Sequence, residues 1–154
     1  MSSSIIKPYD PTFKDAFYSI NSEWLNEIYS ITPGDEKMLR APEKIVGGGG
    51  EVFFAGYLGQ TVGTCALIKI DEEEYELAKM GVLKTFRGMK FGEALLVAAI
   101  HFARSRQAKK ITLETAGRLK PAIALYEKFG FKRVGEEYKH PLFGRMIFKM
   151  ELKL

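Results

Sequence analysis

A short basic stretch with two glycines is the part of this chain whose residue types and spacing most directly imply chemistry. It covers residues 87–92 and reads RGMKFG, with Arg87 and Lys90 as its basic side chains. A strand-like segment precedes it and a helix-like segment follows it, so free backbone N–H groups and the positive end of the helix dipole would meet there. The sequence therefore predicts an anion site in this loop, suited to a phosphate or a diphosphate.

The segments on either side of the loop must hold it in place. Before the loop, apolar residues fall on both faces of a predicted strand, as in a sheet covered on both sides; they are Tyr75, Leu77, Met80 and Val82. After the loop, apolar residues recur at offsets of three and four, which indicates one side of a helix; they are Phe91, Ala94, Leu95, Ala98 and Phe102. The loop has neither GxxxxGK[ST] nor GxGxxG spacing, so nucleotide hydrolysis and dinucleotide binding are poorly supported.

Two stretches of the chain together resemble the signature motifs of the GNAT superfamily of acetyl-CoA-dependent N-acetyltransferases. The first covers residues 82–96, and the second covers residues 122–131, which contain LYEKFGF and are the more distinctive. The resemblance reaches most of the chain in order and length. It implies a GNAT-like α+β (mixed α/β) fold, with a central, mostly antiparallel sheet of six to seven strands and helices on both faces.

The resemblance also implies where acetyl-CoA would bind. In the family the first motif is written [RQ]-x-x-G-x-[GA], and its amides bind the diphosphate of coenzyme A. Arg87 takes the first position and Gly92 the last, whereas Lys90 stands where the family usually has glycine. Glycine permits a close backbone approach to phosphate, so a lysine at this position is expected to affect the conformation of the loop. The cofactor-binding residues that the resemblance implies are Met80, Val82, Arg87, Gly88, Met89, Lys90, Phe91, Gly92 and Glu93.

The same resemblance implies residues for acyl transfer, in which an amine attacks a thioester and needs a base and a group that stabilises the departing sulfur. Glu76 lies six residues before Val82, the separation at which some GNAT enzymes carry a catalytic glutamate. Glu114, on a neighbouring predicted strand, is the alternative base. Tyr126 matches the tyrosine of the second motif, which usually faces the coenzyme sulfur. Leu119 stands where the family often has asparagine, so a side-chain hydrogen bond from that position is missing.

Strict alternation along the strand before the loop would make its even-numbered side chains share one face, where water could relay a proton from the amine to the base. These residues are Glu76, Ala78, Met80 and Val82. We expect the oxyanion donor to be a backbone N–H near the end of this strand. Neither His101 nor His140 has metal-ligand spacing to another histidine or to Cys65, so both are expected to be structural or solvated and no metal is expected.

Composition and charge limit the class of protein. The chain has 154 residues, 46% hydrophobic and 27% charged, which predicts a single domain over residues 1–154. The net charge of +4 suits an anionic ligand, but basic and acidic residues interleave, so no nucleic-acid partner is expected. A single cysteine, Cys65, cannot form an internal disulfide, and no segment suggests a signal peptide or a membrane span. We therefore expect a cytoplasmic protein without a membrane partner.

Periodicity and turn residues predict the remaining elements. The predicted strands are 4–9, 51–57, 61–70, the strand before the basic loop, 110–114, 131–134 and 145–152. The predicted helices are 12–31, 35–40, the helix after the loop, and a last one that Pro121 opens and Gly130 stops. Pro33 and Gly34 are expected to end the first helix, Asp35 to cap the second and Pro42 to close it, with residues 47–50 as a mobile turn.

Together these observations predict an N-acetyltransferase that moves the acetyl group of acetyl-CoA to a primary amine, by direct attack in a ternary complex and without a metal. One alternative is a catalytically silent acyl-CoA-binding regulatory module that keeps the diphosphate loop. Another is a partner-binding or nucleic-acid-associated domain that uses its basic charge. Segments 31–40 and 139–144 are expected to set selectivity, but the sequence leaves the acceptor open, and also the oligomeric state, with a homodimer as one option.

Overall fold

The computed structural model describes residues 5–154, in which one strand and three helices are followed by three strands, a helix–strand–helix segment and two last strands. The strands are β1 (Ile5–Pro8), β2 (Glu51–Tyr57), β3 (Gln60–Lys69), β4 (Glu74–Val82), β5 (Lys110–Thr115), β6 (Lys132–Lys139) and β7 (Met146–Lys153). The helices are α1 (Lys14–Ile28), α2 (Pro33–Leu39), α3 (Pro42–Gly47), α4 (Phe91–Ser105) and α5 (Lys120–Lys128). Short 3₁₀ turns occupy Pro11–Phe13 and Lys84–Phe86. The first strand was predicted over residues 4–9, of which Ser4 lies outside the described residues.

The seven strands form one sheet in the order β1-β2-β3-β4-β5-β7-β6. Every neighbouring pair is antiparallel except β4 and β5, which run parallel. The helix α4 makes the crossover between these two parallel strands, as such a connection requires. The predicted fold class, a mixed α/β fold with a mostly antiparallel sheet of six to seven strands, is confirmed.

Helices cover both faces of the sheet, and each face has its own apolar cluster. On one face, called here the α4 face, Leu95 of α4 and Tyr126 of α5 pack against Cys65 and Leu77 of the sheet. On the other, called here the α1 face, the helices α1, α2 and α3 bury their apolar residues against Phe54 of β2. Residues on both faces of β2 and β3 are therefore buried, which explains why these two strands lack a clean alternation of apolar and polar side chains.

A bulge in β4 decides which face each of its side chains reaches. Lys79 has a left-handed backbone with a φ of 49°, and the pairing with β3 passes from Ala66–Ala78 to Thr64–Gly81. Over this stretch β4 therefore carries one residue more than β3, which reverses the alternation of its side chains.

The bulge overturns one prediction about β4. Met80 and Val82 pack against the α4-face cluster, whereas Glu76 and Ala78 line a cavity on the α1 face. The prediction that these four side chains share one face is therefore wrong. Strict alternation cannot anticipate an extra residue that only the pairing with β3 reveals.

The two parallel strands diverge in the middle of the sheet. The pairing of β4 with β5 runs from Glu74–Lys110 to Leu77–Leu113 and stops there, although β4 continues to Val82. The last residues of β4 thus have no strand on the β5 side, and backbone hydrogen-bonding groups of an open edge are available to a ligand.

The segment after α1 differs from the prediction because its prolines begin helices instead of ending them. Helix α1 ends at Ile28, three residues earlier than predicted. Thr32 caps α2 and forms a capping box with Asp35, so Pro33 occupies the first turn. Pro42 likewise opens α3, which contains Gly47, so residues 47–50 are only partly a turn. Within residues 5–154, none of the helices has the length and apolar character needed to cross a bilayer.

Candidate active site

The predicted anion loop leads directly into the N-terminus of α4. Gly88 and Lys90 have left-handed backbones, with φ values of 83° and 70°. Lys90 occupies the N-cap position, and no side chain caps the helix. Within the described residues, none of the backbone amides of residues 88–93 donates to a protein acceptor. Unpaired amides at the positive end of a helix dipole form an anion site.

Lys90 adopts a left-handed conformation, which glycine adopts without steric penalty. A left-handed backbone costs a residue with a Cβ roughly 1–2 kcal/mol. The lysine therefore keeps the backbone arrangement of the loop while carrying that strain, and its exposed side chain adds a positive charge beside the unpaired amides.

Two charged side chains of the predicted cofactor site are held by ion pairs. Arg87 Nη1 donates to Glu27 of α1 at 2.9 Å, and Arg87 Nε donates to the Val82 carbonyl at 3.1 Å. The hydrogen bond from Arg87 lowers the pKa of Glu27 below its ordinary value. Glu93 pairs with Lys128 of α5 at 3.1 Å. The loop thus presents mainly backbone amides to an anion, with Arg87 fastening it to α1.

The loop and the open edge of β4 both offer unpaired backbone groups to a ligand. The unpaired amides of residues 88–93 suit a diphosphate. Met80 and Val82 turn their side chains to the α4 face beside the part of β4 that has no partner strand. An extended polar arm can hydrogen bond to such an edge as another strand would.

Tyr126 lies on the α4 face near the same edge. Its ring is 5.8 Å from that of Phe131, and the residue is only 8% exposed. Burial, and then the neighbouring Cys65, raise the pKa of Tyr126. Among the described residues, every fully buried side-chain oxygen or nitrogen has a hydrogen-bond partner. The Tyr126 hydroxyl has no partner among these residues, so it is not fully buried. The hydroxyl therefore reaches the surface and stays protonated at neutral pH.

A cavity of about 440 Å³ opens on the α1 face of the sheet, beside β4, β5 and β7. Aromatic and apolar side chains form part of its wall, among them Trp24, Tyr29, Leu142 and Phe143. The charged residues that line it are Glu74, Glu76, Lys79, Glu114, Arg145 and Lys149. Parts of the predicted selectivity segments 31–40 and 139–144, including Met38 and His140, also contribute. We call this space the α1-face cavity.

The two candidate bases, Glu76 and Glu114, lie together in this cavity. Burial and then the charge of Glu114 raise the pKa of Glu76 to about 7, although Lys149 acts in the opposite direction. Glu114 already accepts a hydrogen bond from the Tyr138 hydroxyl and has His140 Nε2 at 3.3 Å. Glu76 is therefore the carboxylate whose pKa suits proton transfer at neutral pH. His140 was predicted to be structural or solvated; it lines the cavity beside Glu114.

A buried ionic cluster that the sequence did not predict forms another part of the cavity wall. The side chain of Asp35 is fully buried, with Lys79 Nζ at 3.0 Å and Arg145 Nη1 at 3.1 Å. Burial alone would raise the pKa of Asp35, but hydrogen bonds from Arg145, the Thr32 amide and Lys79 outweigh it and hold the pKa well below its ordinary value. The sequence indicated Asp35 only as a helix cap, because its partners are distant along the chain.

Trp24 of α1 lines the cavity beneath the β4 bulge. A Cβ built on Gly81 would lie 2.4 Å from Trp24 Cδ1, so the indole ring rests directly on the strand backbone. Its Nε1 donates to Asn21 at 2.9 Å, which fixes the ring. Glycine at residue 81 is what permits this close approach.

The predicted catalytic residues lie on opposite faces of the sheet. Glu76 lines the α1-face cavity, and Tyr126 belongs to the α4-face cluster. The sheet is open between these faces, because β4 and β5 diverge beyond Leu77. A thioester held at this opening would be accessible to Glu76 from one side and to Tyr126 from the other. Among the described residues, no group of three histidine, cysteine or acidic side chains is arranged to hold a metal ion.

Comparison with known proteins identifies the family. The model of the Acetyltransferase (GNAT) family matches residues 14–131. The uncharacterized N-acetyltransferase YjgM of Escherichia coli K12 is 33% identical over 123 residues, which cover 78% of this chain and 66% of that protein. The chain spans between 28% and 66% of the length of the first curated relatives it matches.

Solved structures share the fold at low sequence identity. An acetyltransferase of Streptococcus agalactiae has a TM-score of 0.86 and 21% identity, with 100% of both chains covered. The yncA protein of Salmonella typhimurium, solved with its cofactor acetyl-CoA, has a TM-score of 0.81 and 19% identity, over 99% of this chain and 94% of that one. These structures share the overall fold, and the family model matches most of the sequence. The chain belongs to the GNAT family of acetyltransferases.

Proposed function

We propose that this protein transfers the acetyl group of acetyl-CoA to a primary amine by direct attack, with both substrates bound at once. The observation that carries the proposal is the position of Glu76. This carboxylate has a pKa near neutrality and lines a cavity on one face of the sheet, beside the strand whose open edge and following loop fit coenzyme A. An amine can therefore approach from the α1 face while the coenzyme lies on the α4 face.

The residues that would hold acetyl-CoA are those of the anion loop and the end of β4. The amides of residues 88–93 would bind the diphosphate, and Arg87 and Lys90 would add positive charge. Met80 and Val82 would contact the arm that leads to the thioester. Acetyl-CoA, when bound, supplies an acetyl thioester whose carbonyl carbon is open to attack.

Glu76 would act as the general base. An alkylammonium with a pKa of about 10.4 must lose a proton before its nitrogen can attack, which costs about 4.6 kcal/mol at pH 7. Glu76 would accept this proton, and the free amine would then attack the thioester carbonyl. As the C–N bond of the amide forms and the C–S bond breaks, the nitrogen would lose its second proton to solvent water and coenzyme A would depart as the thiolate. Its raised pKa makes it a stronger base than an ordinary glutamate, while leaving a large fraction ionised at neutral pH.

Tyr126 would stabilise the departing sulfur by donating a hydrogen bond. A model thiol has a pKa of about 8.5 and tyrosine one of about 10, so complete proton transfer to the thiolate is already uphill by roughly 2 kcal/mol. Burial raises the pKa of Tyr126 further, which makes donation without transfer more favourable still. The Tyr126 hydroxyl donates to no acceptor among the described residues, so it is free to donate to the sulfur.

The proposal is tested by measuring release of free thiol from acetyl-CoA with a panel of amines. We expect Tyr126→Phe to lower kcat about tenfold or more with little change in coenzyme A binding, because it removes an interaction made mainly in the transition state. Tyr75→Phe is the matched control, since Tyr75 is also buried in the α4-face cluster but packs against Phe102. Arg87→Ala should mainly weaken coenzyme A binding.

Two results would count against this function. Tight coenzyme A binding without thiol release across the panel would favour the silent acyl-CoA-binding module. Wild-type turnover in Tyr126→Phe would remove the role assigned to that hydroxyl. The identification of acetylated products by mass spectrometry separates true transfer from slow hydrolysis of the thioester.

A further inference from the structure

The α1-face cavity has two ends of opposite charge. At one end lie the carboxylates of Glu74, Glu76 and Glu114, with the single ammonium group of Lys149 beside them. At the other end lie Lys79 and Arg145, beside the Asp35 carboxylate that they share. An acceptor that carries charges of both signs would match such a cavity in one orientation.

The basic end has one more positive charge than negative charge. The single carboxylate of Asp35 pairs with two cations whose side chains are only 8% (Lys79) and 13% (Arg145) exposed. Burial lowers the pKa of Lys79, and Asp35, with a smaller contribution from Glu76, only partly opposes this, so a further anion would favour the charged lysine. A buried cluster with an uncompensated charge is costly, and a bound anion would offset that cost. A second anionic partner for this pair would have to come from the cavity, which both side chains line.

Both cations keep hydrogen-bond donors that the described residues do not use. Lys79 Nζ donates to Asp35 Oδ1 and leaves two of its three N–H groups. Arg145 donates twice to Asp35 and once to the Ser30 carbonyl, which leaves two of its five N–H groups. Donors of this kind, held in place by a buried carboxylate, suit the two oxygens of a second carboxylate.

Aromatic rings keep water away from this end of the cavity. The ring of Phe143 has Lys79 Nζ 4.3 Å from its centre, and the ring of Tyr29 has the Arg145 guanidinium at 4.5 Å. Cation–π contacts hold both cations at fixed positions. The reduced access of solvent strengthens the attraction between these cations and an anion.

We propose that the acceptor amine belongs to an amino acid, and that Lys79 and Arg145 bind its free carboxylate while its amine faces Glu76. This inference rests on the proposed N-acetyltransferase function and adds the class of substrate. Lys79 and Glu76 project to the same face of β4 from either side of the bulge, so a small molecule can reach both. A single excess positive charge favours a carboxylate over a doubly charged phosphate.

The same arrangement disfavours other amines. A polyamine would place a second ammonium group against two cations, which is repulsive. The N-terminus of a protein has a peptide bond where the amino acid has its carboxylate, so the excess charge would stay unpaired. Discrimination by such an unpaired buried group is stronger than discrimination by size alone.

The test compares each L-amino acid with its own carboxamide, for example leucine with leucinamide and aspartate with its α-amide. Dissociation constants are measured by calorimetry with the full chain saturated with coenzyme A, so that the result does not depend on turnover. We expect at least one acid to bind the wild-type protein at least tenfold more tightly than its amide, because only the acid forms charge-assisted hydrogen bonds. The ratio should fall close to one in Lys79→Met.

Lys79→Met removes the excess charge but leaves Asp35 paired with Arg145, so the fold should persist. Unchanged coenzyme A binding and an unchanged melting temperature verify this. Lys37→Met is the matched control: it removes one positive charge from an exposed position of α2, outside the cavity, and should keep the wild-type ratio.

Three results would overturn the inference. They are equal binding of acid and amide by the wild type, a preference for acids that survives in Lys79→Met, and no detectable amino-acid binding. Acetylation of spermidine or of a peptide N-terminus, with no amino acid bound, would refute the substrate class while leaving the N-acetyltransferase function intact. Absence of acetylation with every amine would instead contradict the N-acetyltransferase function. The ratio of acid to amide binding would still show whether Lys79 and Arg145 bind a carboxylate.

Discussion

The pH dependence of catalysis offers the sharpest test of the role of Glu76. Replacing this residue by glutamine keeps its size and removes its ability to take a proton. We expect the slope of log(kcat/KM) against pH to fall by one unit near pH 7 in the wild-type enzyme, because Glu76 becomes ionised there. Glu76→Gln should show no such break, since only the ionisation of the amine remains in its profile.

The magnitude follows from the surroundings of the carboxyl group. Burial and the nearby Glu114 raise the pKa of Glu76 from 4.5 to about 7. At 1.36 kcal/mol for each pKa unit, transfer of a proton from an ammonium to Glu76 becomes less unfavourable by about 3.4 kcal/mol. General bases typically contribute a factor of about 10² to 10⁴. We therefore expect Glu76→Gln to lower kcat/KM at pH 8 by about 100-fold or more.

The assay follows thiol release from pH 5.5 to 9 for the wild type and three variants. Glu114→Gln should move the break to lower pH, because its charge is one cause of the raised pKa of Glu76. Glu74→Gln is the graded control: Glu74 lines the same cavity and accepts a hydrogen bond from Thr112 at 2.8 Å, and its charge makes the smallest contribution to the raised pKa of Glu76. Its variant should therefore keep the break, move it less than Glu114→Gln does, and retain most of the activity.

Specific outcomes would refute this reasoning. A wild-type profile without a break between pH 6 and 8 would mean that the Glu76 carboxyl does not ionise there or takes no part. A break that persists in Glu76→Gln but disappears in Glu114→Gln would assign the base to Glu114. Loss of coenzyme A binding in Glu76→Gln would show that its effect is structural.

Three further predictions concern stability, each measured by urea denaturation. Lys90→Gly should stabilise the protein by about 0.5–1 kcal/mol, because relief of the left-handed strain exceeds the added freedom of the unfolded chain; a destabilised variant would contradict this. Gly81→Ala should lower the free energy of unfolding by about 1–3 kcal/mol, since its Cβ would collide with Trp24. In the control Gly47→Ala the new Cβ meets no atom within 4 Å, so this variant should be neutral or stabilising. Equal effects of the two substitutions would refute the collision. Asp35→Asn should lower the free energy of unfolding by about 3 kcal/mol or more at neutral pH, because two buried cations lose their carboxylate. A change below about 1 kcal/mol would show that the two cations do not need this carboxylate in the folded protein.

The sequence predicted the elements around the anion loop well, because their signals are local. The apolar spacing after Gly92 indicates α4, and Pro121 with Gly130 marks the ends of α5 to within a residue or two. The fold class followed from the order of strands and helices and from the family resemblance, and it is confirmed. Prolines were harder to interpret, since Pro33 and Pro42 are equally suited to follow a helix or to begin one.

The candidate site could be predicted only in part. The motifs indicated Glu76 and Tyr126, but not that they face opposite sides of the sheet. The choice between Glu76 and Glu114 was open in the sequence, and Glu76 as the base stays a prediction that the pH profiles test; the structure adds the raised pKa of Glu76 and the hydrogen bond from Tyr138 to Glu114. No pattern indicated that Asp35 would meet Lys79 and Arg145, which lie 44 and 110 residues away along the chain.

Residue types and their spacing alone determined the family, the loop that suits a diphosphate and the residues from which a base and a hydrogen-bond donor can be chosen. Tertiary structure alone decided which faces these residues reach, where the sheet opens, and how acidic the carboxyl groups are. The physical reason is range. Helix periodicity, capping and glycine loops depend on neighbours a few residues away, whereas the β4 bulge, the raised pKa of Glu76 and the cluster around Asp35 depend on strands and loops that only folding brings together.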